Sequence, residues 1–252
     1  MGDRMTPLRR MLRAAGALVA GYLTVVRPRI LRWGADREEA RRLLPGDEVI
    51  PRARMQSTRA VTIQARPGDV WPWLVQLGQG RGGLYSYDWL ENLFGCDIHS
   101  VERVVPELQR LQVGDEIRLV RQGYPVDLRF QVSRIEPMQS LVLSAPASRE
   151  ESLGSGLPFP TWTFVLEPMS RGRTRLLSRW RSDFAPTPAG YLWNKYGIEP
   201  VNFVMERKML KGIKERAERS AVIRSEPLPA REDEAIHQRE GSSRCLMDGS
   251  TP

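Results

Sequence analysis

Arg173-Thr174-Arg175-Leu176-Leu177-Ser178-Arg179-Trp180-Arg181-Ser182-Asp183-Phe184 decides how this chain is read. Thr174, Leu176, Ser178, Trp180, Ser182 and Phe184 fall on one side, and Arg173, Arg175, Arg179 and Arg181 on the other. Successive side chains of a strand point to opposite faces. The alternation therefore predicts a strand with one face in water and one in a half-polar interior. Upstream, Thr161–Leu166 sets Trp162, Phe164 and Leu166 on one face, and Glu116–Val120, Leu128–Ile135 and Ser140–Ser144 are turn-bounded and β-rich. Thr58–Gln64 alternates as well, with Val61 and Ile63 together.

Helical spacing appears in three places. Pro67-Gly68-Asp69 breaks the first strand, so Asp69 reads as the N-cap of a helix over 70–77 with Pro72 in its first turn. Tyr87–Phe94 is a second short helix, with Leu90, Leu93 and Phe94 on one side. From Pro200, the residues Val201, Val204, Met205, Met209, Gly212, Ile213 and Ala217 recur at three- and four-residue steps. About twenty residues give roughly 30 Å of helix, enough to cross a sheet. The expected fold class is α+β: a curved antiparallel sheet around a long C-terminal helix, with two short helices after the first strand and a space between sheet and helix.

The chain has 252 residues, a net charge of +8 and 41% hydrophobic residues, ordinary for a globular protein. Residues 1–54 hold twelve arginines against six acidic residues, so most of the surplus charge sits in the N-terminal arm. That argues against a nucleic-acid surface on the main domain, and the arginine stripe of 173–181 carries no aromatics on its own face for base stacking. Within residues 1–32 the apolar run Ala14–Val26 follows Arg4, Arg9, Arg10 and Arg13 and is stopped by Arg27-Pro28-Arg29. Thirteen residues are short of a membrane span, and a polytopic membrane protein is excluded. The segment reads as a docked helix, a membrane-surface helix touching lipid through residues 9–32, a degenerate anchor or a disordered start. Residues 33–54 form an irregular lead-in, in which Asp36 and Glu39 look like a capping box closed by Pro45-Gly46-Asp47. Residues 223–252 are polar and proline-rich and read as a disordered tail. Cys96 and Cys245 are far apart and the only histidines are His99 and His237, which fits a reducing, cytoplasmic compartment and offers no zinc site.

This element order, together with Ile63-Gln-Ala-Arg-Pro-Gly-Asp-Val-Trp71, Gly78-Gln-Gly-Arg-Gly-Gly-Leu-Tyr-Ser-Tyr-Asp-Trp-Leu-Glu-Asn92 and the closing amphipathic helix, resembles the START/Bet v 1-like (SRPBCC) superfamily. More narrowly it is similar to the bacterial polyketide cyclase/dehydrase and lipid-transport group. The resemblance spans about residues 55–222 and implies a helix-grip ligand-binding domain with a cavity for an apolar or lipid-like molecule and no cofactor. It does not imply a chemistry, because such folds serve carriers, sensors and cyclases alike.

Several motifs remain. Gly78–Gly83 matches G-x-G-x-x-G but follows a helix rather than a strand, so a tight loop is the simpler reading; Arg81 can also meet a ligand's polar end. Tyr85, Tyr87, Asp88 and Trp89 form an aromatic–polar cluster that can line a pocket or pack helix on sheet. Trp162, Phe164 and Trp180 on the sheet face Met205 and Met209 on the helix and form the expected inner lining, as a cavity or as plain core. Thr174, Ser178 and Ser182 on that face favour a partial cavity. Asp97 and His99, or Asp88 with a tyrosine, are the weak candidates for acid–base work in a cyclase- or dehydratase-like alternative. No metal site is expected.

Overall fold

The structure, a computed structural model, describes residues 7–225. The chain divides into two compact units, residues 1–221 and residues 222–252. Of the second, only the helical end at 222–225 is described. The expected tail, with His237 and Cys245, lies outside the described residues.

Among the described residues six strands form one antiparallel sheet: β1 (Met55–Ile63), β2 (Glu116–Arg118), β3 (Arg129–Glu136), β4 (Ser140–Ser144), β5 (Phe159–Met169) and β6 (Arg173–Asp183). Their order is β1-β6-β5-β4-β3-β2, so the first strand pairs with the last and the connection from β1 to β2 carries the chain from one edge to the other. Trp162 pairs with Trp180 and Phe164 with Ser178 across β5 and β6, which puts the inward sets of both strands in register. A bulge between Val132 and Arg134 bends β3.

Among the described residues eight α-helical segments accompany the sheet: α1 (Pro7–Gly21), α2 (Arg27–Leu31), α3 (Arg37–Arg41), α4 (Pro67–Val75), α5 (Asp88–Leu93), α6 (Arg149–Gly154), α7 (Pro188–Leu192) and α8 (Glu199–Ser225). π-helical turns at Tyr22–Val26 and Trp193–Ile198 join α1 to α2 and α7 to α8. Met209, Leu210, Ile213 and Ala217 of α8 are buried with Ile63, Phe164 and Leu176 of the sheet and Val70, Trp73 and Leu74 of α4. This is a helix-grip arrangement: the sheet wraps the long helix, with α4 and α5 between the first two strands.

Three local expectations are corrected. Asp69 does not cap α4; the helix starts at Pro67 because proline's fixed φ suits the first helical position, so Asp69 lies in the first turn and Pro72 in the interior. The loop Ala145–Pro160 contains α6, held by a capping box between Ser148 and Glu151. Arg27-Pro28-Arg29 does not stop the N-terminal helix, since Pro28 takes an early position of α2. Arg9–Leu31 is thus one helical rod of 23 residues, long and apolar enough by length and composition to cross a membrane, where the bare apolar run was too short.

The largest correction concerns the outer face of the sheet. The arginines of β6 were expected in water, yet Arg179 and Arg181 are buried and Arg175 is half-buried. Residues 33–54 lie over them. Arg179 donates to Thr58 Oγ1 (3.0 Å), the Arg42 carbonyl (2.8 Å), Asp47 Oδ2 (2.5 Å) and the Glu39 carbonyl (2.8 Å). Arg175 grips Glu39 and the Gly34 carbonyl. The predicted Asp36/Glu39 capping box is present in α3. The lead-in is therefore a covering layer whose exposed carbonyls need donors, and the arginine stripe provides them.

Candidate functional site

Between the inner face of the sheet and α8 lies an open space of about 160 Å³. Leu84, Ser86 and Glu91 border it from the loop and α5, Leu119 from the end of β2, Trp162 and Trp180 from the sheet, and Asn202, Met205, Glu206 and Met209 from α8. It is small because the aromatics stack: Trp162 lies 5.6 Å from Trp180 and 4.9 Å from Phe164, and Phe130 stands edge-on to Trp180 at 5.5 Å. The Trp162 indole N–H donates to Ser178 Oγ at 2.9 Å. That bond explains one of the small polar residues on the inner face.

Four polar atoms of these lining residues are buried without a hydrogen-bond partner: Trp180 Nε1, Asn202 Nδ2, Glu91 Oε2 and Glu206 Oε1. Two are donors and two acceptors, and unpaired buried polar groups are costly. Glu91 is held by α5 so that its other oxygen accepts from Ser86 Oγ at 2.5 Å. Burial pushes its carboxyl above the usual carboxylate range, the Ser86 bond opposes this, and Asp88 adds to it. Glu206 is ion-paired with Arg59 of β1, both fully buried, and Arg59 also donates to the Ile30 carbonyl at 3.1 Å. A wider cleft of about 640 Å³, bordered by Pro45, Pro67, Met138, Gln139 and Pro168, has no such atom in its lining.

Of the residues singled out in the sequence, Trp162, Trp180, Met205 and Met209 line the space, and Phe164 stands behind Trp162. The rest lie elsewhere. Tyr85 is buried, with its hydroxyl accepting from Gln76 Nε2 at 2.9 Å, its ring edge-on to Trp73 and the Arg216 guanidinium over its face. Burial raises its pKa far above the ordinary value. Arg81 donates to the carbonyls of Val75 (2.8 Å) and Leu108 (3.2 Å), tying loop to helix rather than meeting the cavity. Asp88 accepts from the Ser100 amide (2.6 Å) and hydroxyl (2.7 Å). Tyr87 sits at the N-terminus of α5, and Trp89 points to solvent. Asp97 and His99 do meet, at 3.1 Å, but the imidazole is 79% exposed and neither borders the space. Among the described residues no cluster of His, Cys, Asp or Glu is placed to hold a metal ion.

The G-x-G-x-x-G stretch is a tight loop closed by reciprocal hydrogen bonds between Gly78 and Gly83. Gly83 has φ +81°, and a Cβ there would stand 2.5 Å from the Ser100 backbone. The sequence reading missed Glu91, Asn202 and Glu206. Glu206 looks like one of the solvated charges of α8, and only the opposing Arg59, 147 residues away, brings it inside.

No family model and no curated protein matches the chain. Solved structures do. They include a hypothetical protein of Helicobacter pylori (11% identity, 69% of this chain and 95% of that one, TM-score 0.42). The Aha1 dimer of Colwellia psychrerythraea matches at 16% identity over 65% and 96% of the two chains, TM-score 0.37. A Polyketide_cyc-like protein of Corynebacterium glutamicum matches at 19% identity over 67% and 90%, TM-score 0.31. The architecture itself, a six-stranded antiparallel sheet around a long C-terminal helix, is of the helix-grip type. At these scores the likenesses say nothing of what the chain binds.

Proposed function

We propose that this domain binds a small molecule with an apolar body and a hydrogen-bonding end in the space under α8. The observation that carries the reading is the coincidence of the four unpartnered polar atoms with the one space walled by Trp162, Trp180, Met205 and Met209. A volume near 160 Å³ suits a group about the size of a benzene ring, so the buried part of the guest is ring-sized or a short acyl end. Its apolar surface leaves water at roughly 25 cal/mol per Å². Its hydroxyl, amide or similar end pairs with Glu91, Glu206, Asn202 and Trp180. The arginine stripe is engaged by the protein's own carbonyls and carboxylates, so nucleic acid is not a partner in this reading. A membrane surface is a partner, touched through residues 9–32.

The test is native mass spectrometry of the full chain purified from cells, together with titration by benzyl alcohol, a probe of matching size. Binding shifts the Trp180 indole N–H resonance, assigned by its absence in Trp180→Phe. No bound small molecule and no shift of that resonance at saturating probe would overturn the proposal.

One observation favours a second reading, a lyase in the same space. Burial raises the pKa of Glu91 at the cavity, which favours its protonated form as the donor to a leaving hydroxyl, while the unpartnered Oε1 of Glu206, whose other oxygen is paired with Arg59, takes the proton from the adjacent carbon. Loss of water from a hydroxylated guest, abolished in Glu91→Gln while binding persists, is its signature.

A further inference from the structure

We infer that the protein docks on an anionic phospholipid bilayer with the cavity mouth against the lipid, through the N-terminal helical rod and both rims of the mouth. The inference rests on the membrane contact proposed for residues 9–32 and extends it to the binding domain.

The rod from Pro7 to Leu31 contains no acidic residue. Arg9, Arg10 and Arg13 precede its apolar stretch and Arg27 and Arg29 follow it, while Met11, Leu18, Val19, Leu23 and Val26 are exposed. Within α1, helical spacing places Met11, Leu18 and Val19 on one side and Arg9 and Arg13 on the other. Large apolar side chains opposite arginines, with no carboxylate among them, are the chemistry of a helix lying in the interface of an anionic membrane.

The rod is fixed to the domain at the mouth. Tyr22 stacks on Tyr196 with ring centroids 6.0 Å apart, and Arg27 donates to Glu199 Oε2 at 2.9 Å. Both contacts join the rod to the turn that leads into α8, the helix whose Asn202 and Met205 border the mouth. On this turn and at the start of α8, Trp193, Val201 and Val204 are exposed. From Pro188 to Met205 the single carboxylate is Glu199, buried beneath Arg27. Across the mouth, α5 turns Glu91 inward and leaves Trp89, Leu93 and Phe94 at 66–72% exposure. Apolar residues standing in water on both rims of one opening, beside a basic apolar helix, form a surface that a bilayer covers, and aromatic rings suit its headgroup level. A guest then passes between lipid and cavity without crossing water.

The test uses full-length protein with vesicles of phosphatidylcholine, alone or with about a third phosphatidylglycerol. We expect flotation with the anionic vesicles, at least tenfold weaker with neutral ones. Leu18→Glu/Val19→Glu loses binding more than tenfold. Trp89→Ser/Phe94→Ser and Trp193→Ser each weaken it severalfold with unchanged circular dichroism, and brominated lipid quenches tryptophan emission less in Trp89→Phe and Trp193→Phe than in the parent. If the parent binds but the rim variants bind and quench as it does, the mouth is not on the lipid, and the inference falls while the helix contact stands. If the parent does not bind, or forms a dimer through the rod in place of binding, both fall. Ligand binding is read separately by the benzyl alcohol titration.

Discussion

The two faces of this sheet bury polar groups in different ways. On the outer face, Arg179 is as buried as any core residue and each of its nitrogens has a partner on residues 33–58. On the inner face, Trp180, one residue along the same strand, leaves its indole N–H without a partner beside two carboxylate oxygens and an amide in the same condition. The outer face has unpartnered atoms of its own, Arg42 Nε and Arg181 Nε among them, but neither residue borders the space under α8; those around Trp180 do, where a guest can pair with them. The difference separates structure from candidate function without reference to any relative.

The contrast breaks first at Arg179. Arg179→Ala leaves the Arg42 and Glu39 carbonyls without this donor and Asp47 with only Arg181 and the Leu44 amide, and removing one partner of a buried pair costs about 3–5 kcal/mol. Urea unfolding measures it. A loss below about 1 kcal/mol would mean that the outer network is ornamental. Gly212→Ala comes next. The new Cβ would stand 2.4 Å from the Tyr85 carbonyl oxygen, where Tyr85 itself sits at φ +55°. Forcing α8 off that loop costs about 1–3 kcal/mol, against about 1 kcal/mol gained in helix propensity. A net stabilisation would show that α8 is not seated on the loop.

A smaller effect sharpens the inner face. The carboxyl of Glu91 is raised in the fold, mainly by burial. Its contribution to stability is therefore fully present below the ordinary value of 4.5 and declines as pH rises through the raised value. Glu91→Gln removes that decline, so the variant overtakes the parent on the alkaline side by on the order of 1 kcal/mol. Glu199 is raised too, also by burial, but is common to both proteins and cancels in the difference. Parallel pH profiles from 4 to 8 would refute the assignment.

How much of this was legible in the sequence follows from the range of the interactions. Period-two spacing in β6 and β5 and the three–four spacing of α8 are local signals, and they yielded the sheet, the long helix and four of the lining residues. Alternation states only that two faces differ. It cannot say that residues 33–54 cover one of them, so Arg179 and Arg181 read as solvated. Glu91 and Glu206 were passed over for the same reason: a charge on an amphipathic helix is ordinarily outside, and only Ser86 and Arg59 hold these two inside. Asp97 and His99 were only weak acid–base candidates, with a solvated loop histidine the simpler reading, and they lie exposed and away from the cavity.

The smallest expected effect is the most discriminating. Trp180→Phe keeps the ring against Trp162 and Phe130 and deletes only an N–H that bonds nothing in the protein. Stability should move by no more than about 0.5 kcal/mol, or rise slightly, because an unpaired buried donor is lost. Affinity for benzyl alcohol should fall about 2- to 10-fold, the worth of one hydrogen bond. Trp162→Phe is the control, since its indole N–H is already spent on Ser178, and that change should cost stability through the stranded hydroxyl while leaving affinity comparatively intact. Two tryptophans paired across adjacent strands would then answer oppositely to the same substitution. If both variants lose stability and neither loses affinity, the unpaired donor belongs to the fold after all, and the space under α8 is a packing gap.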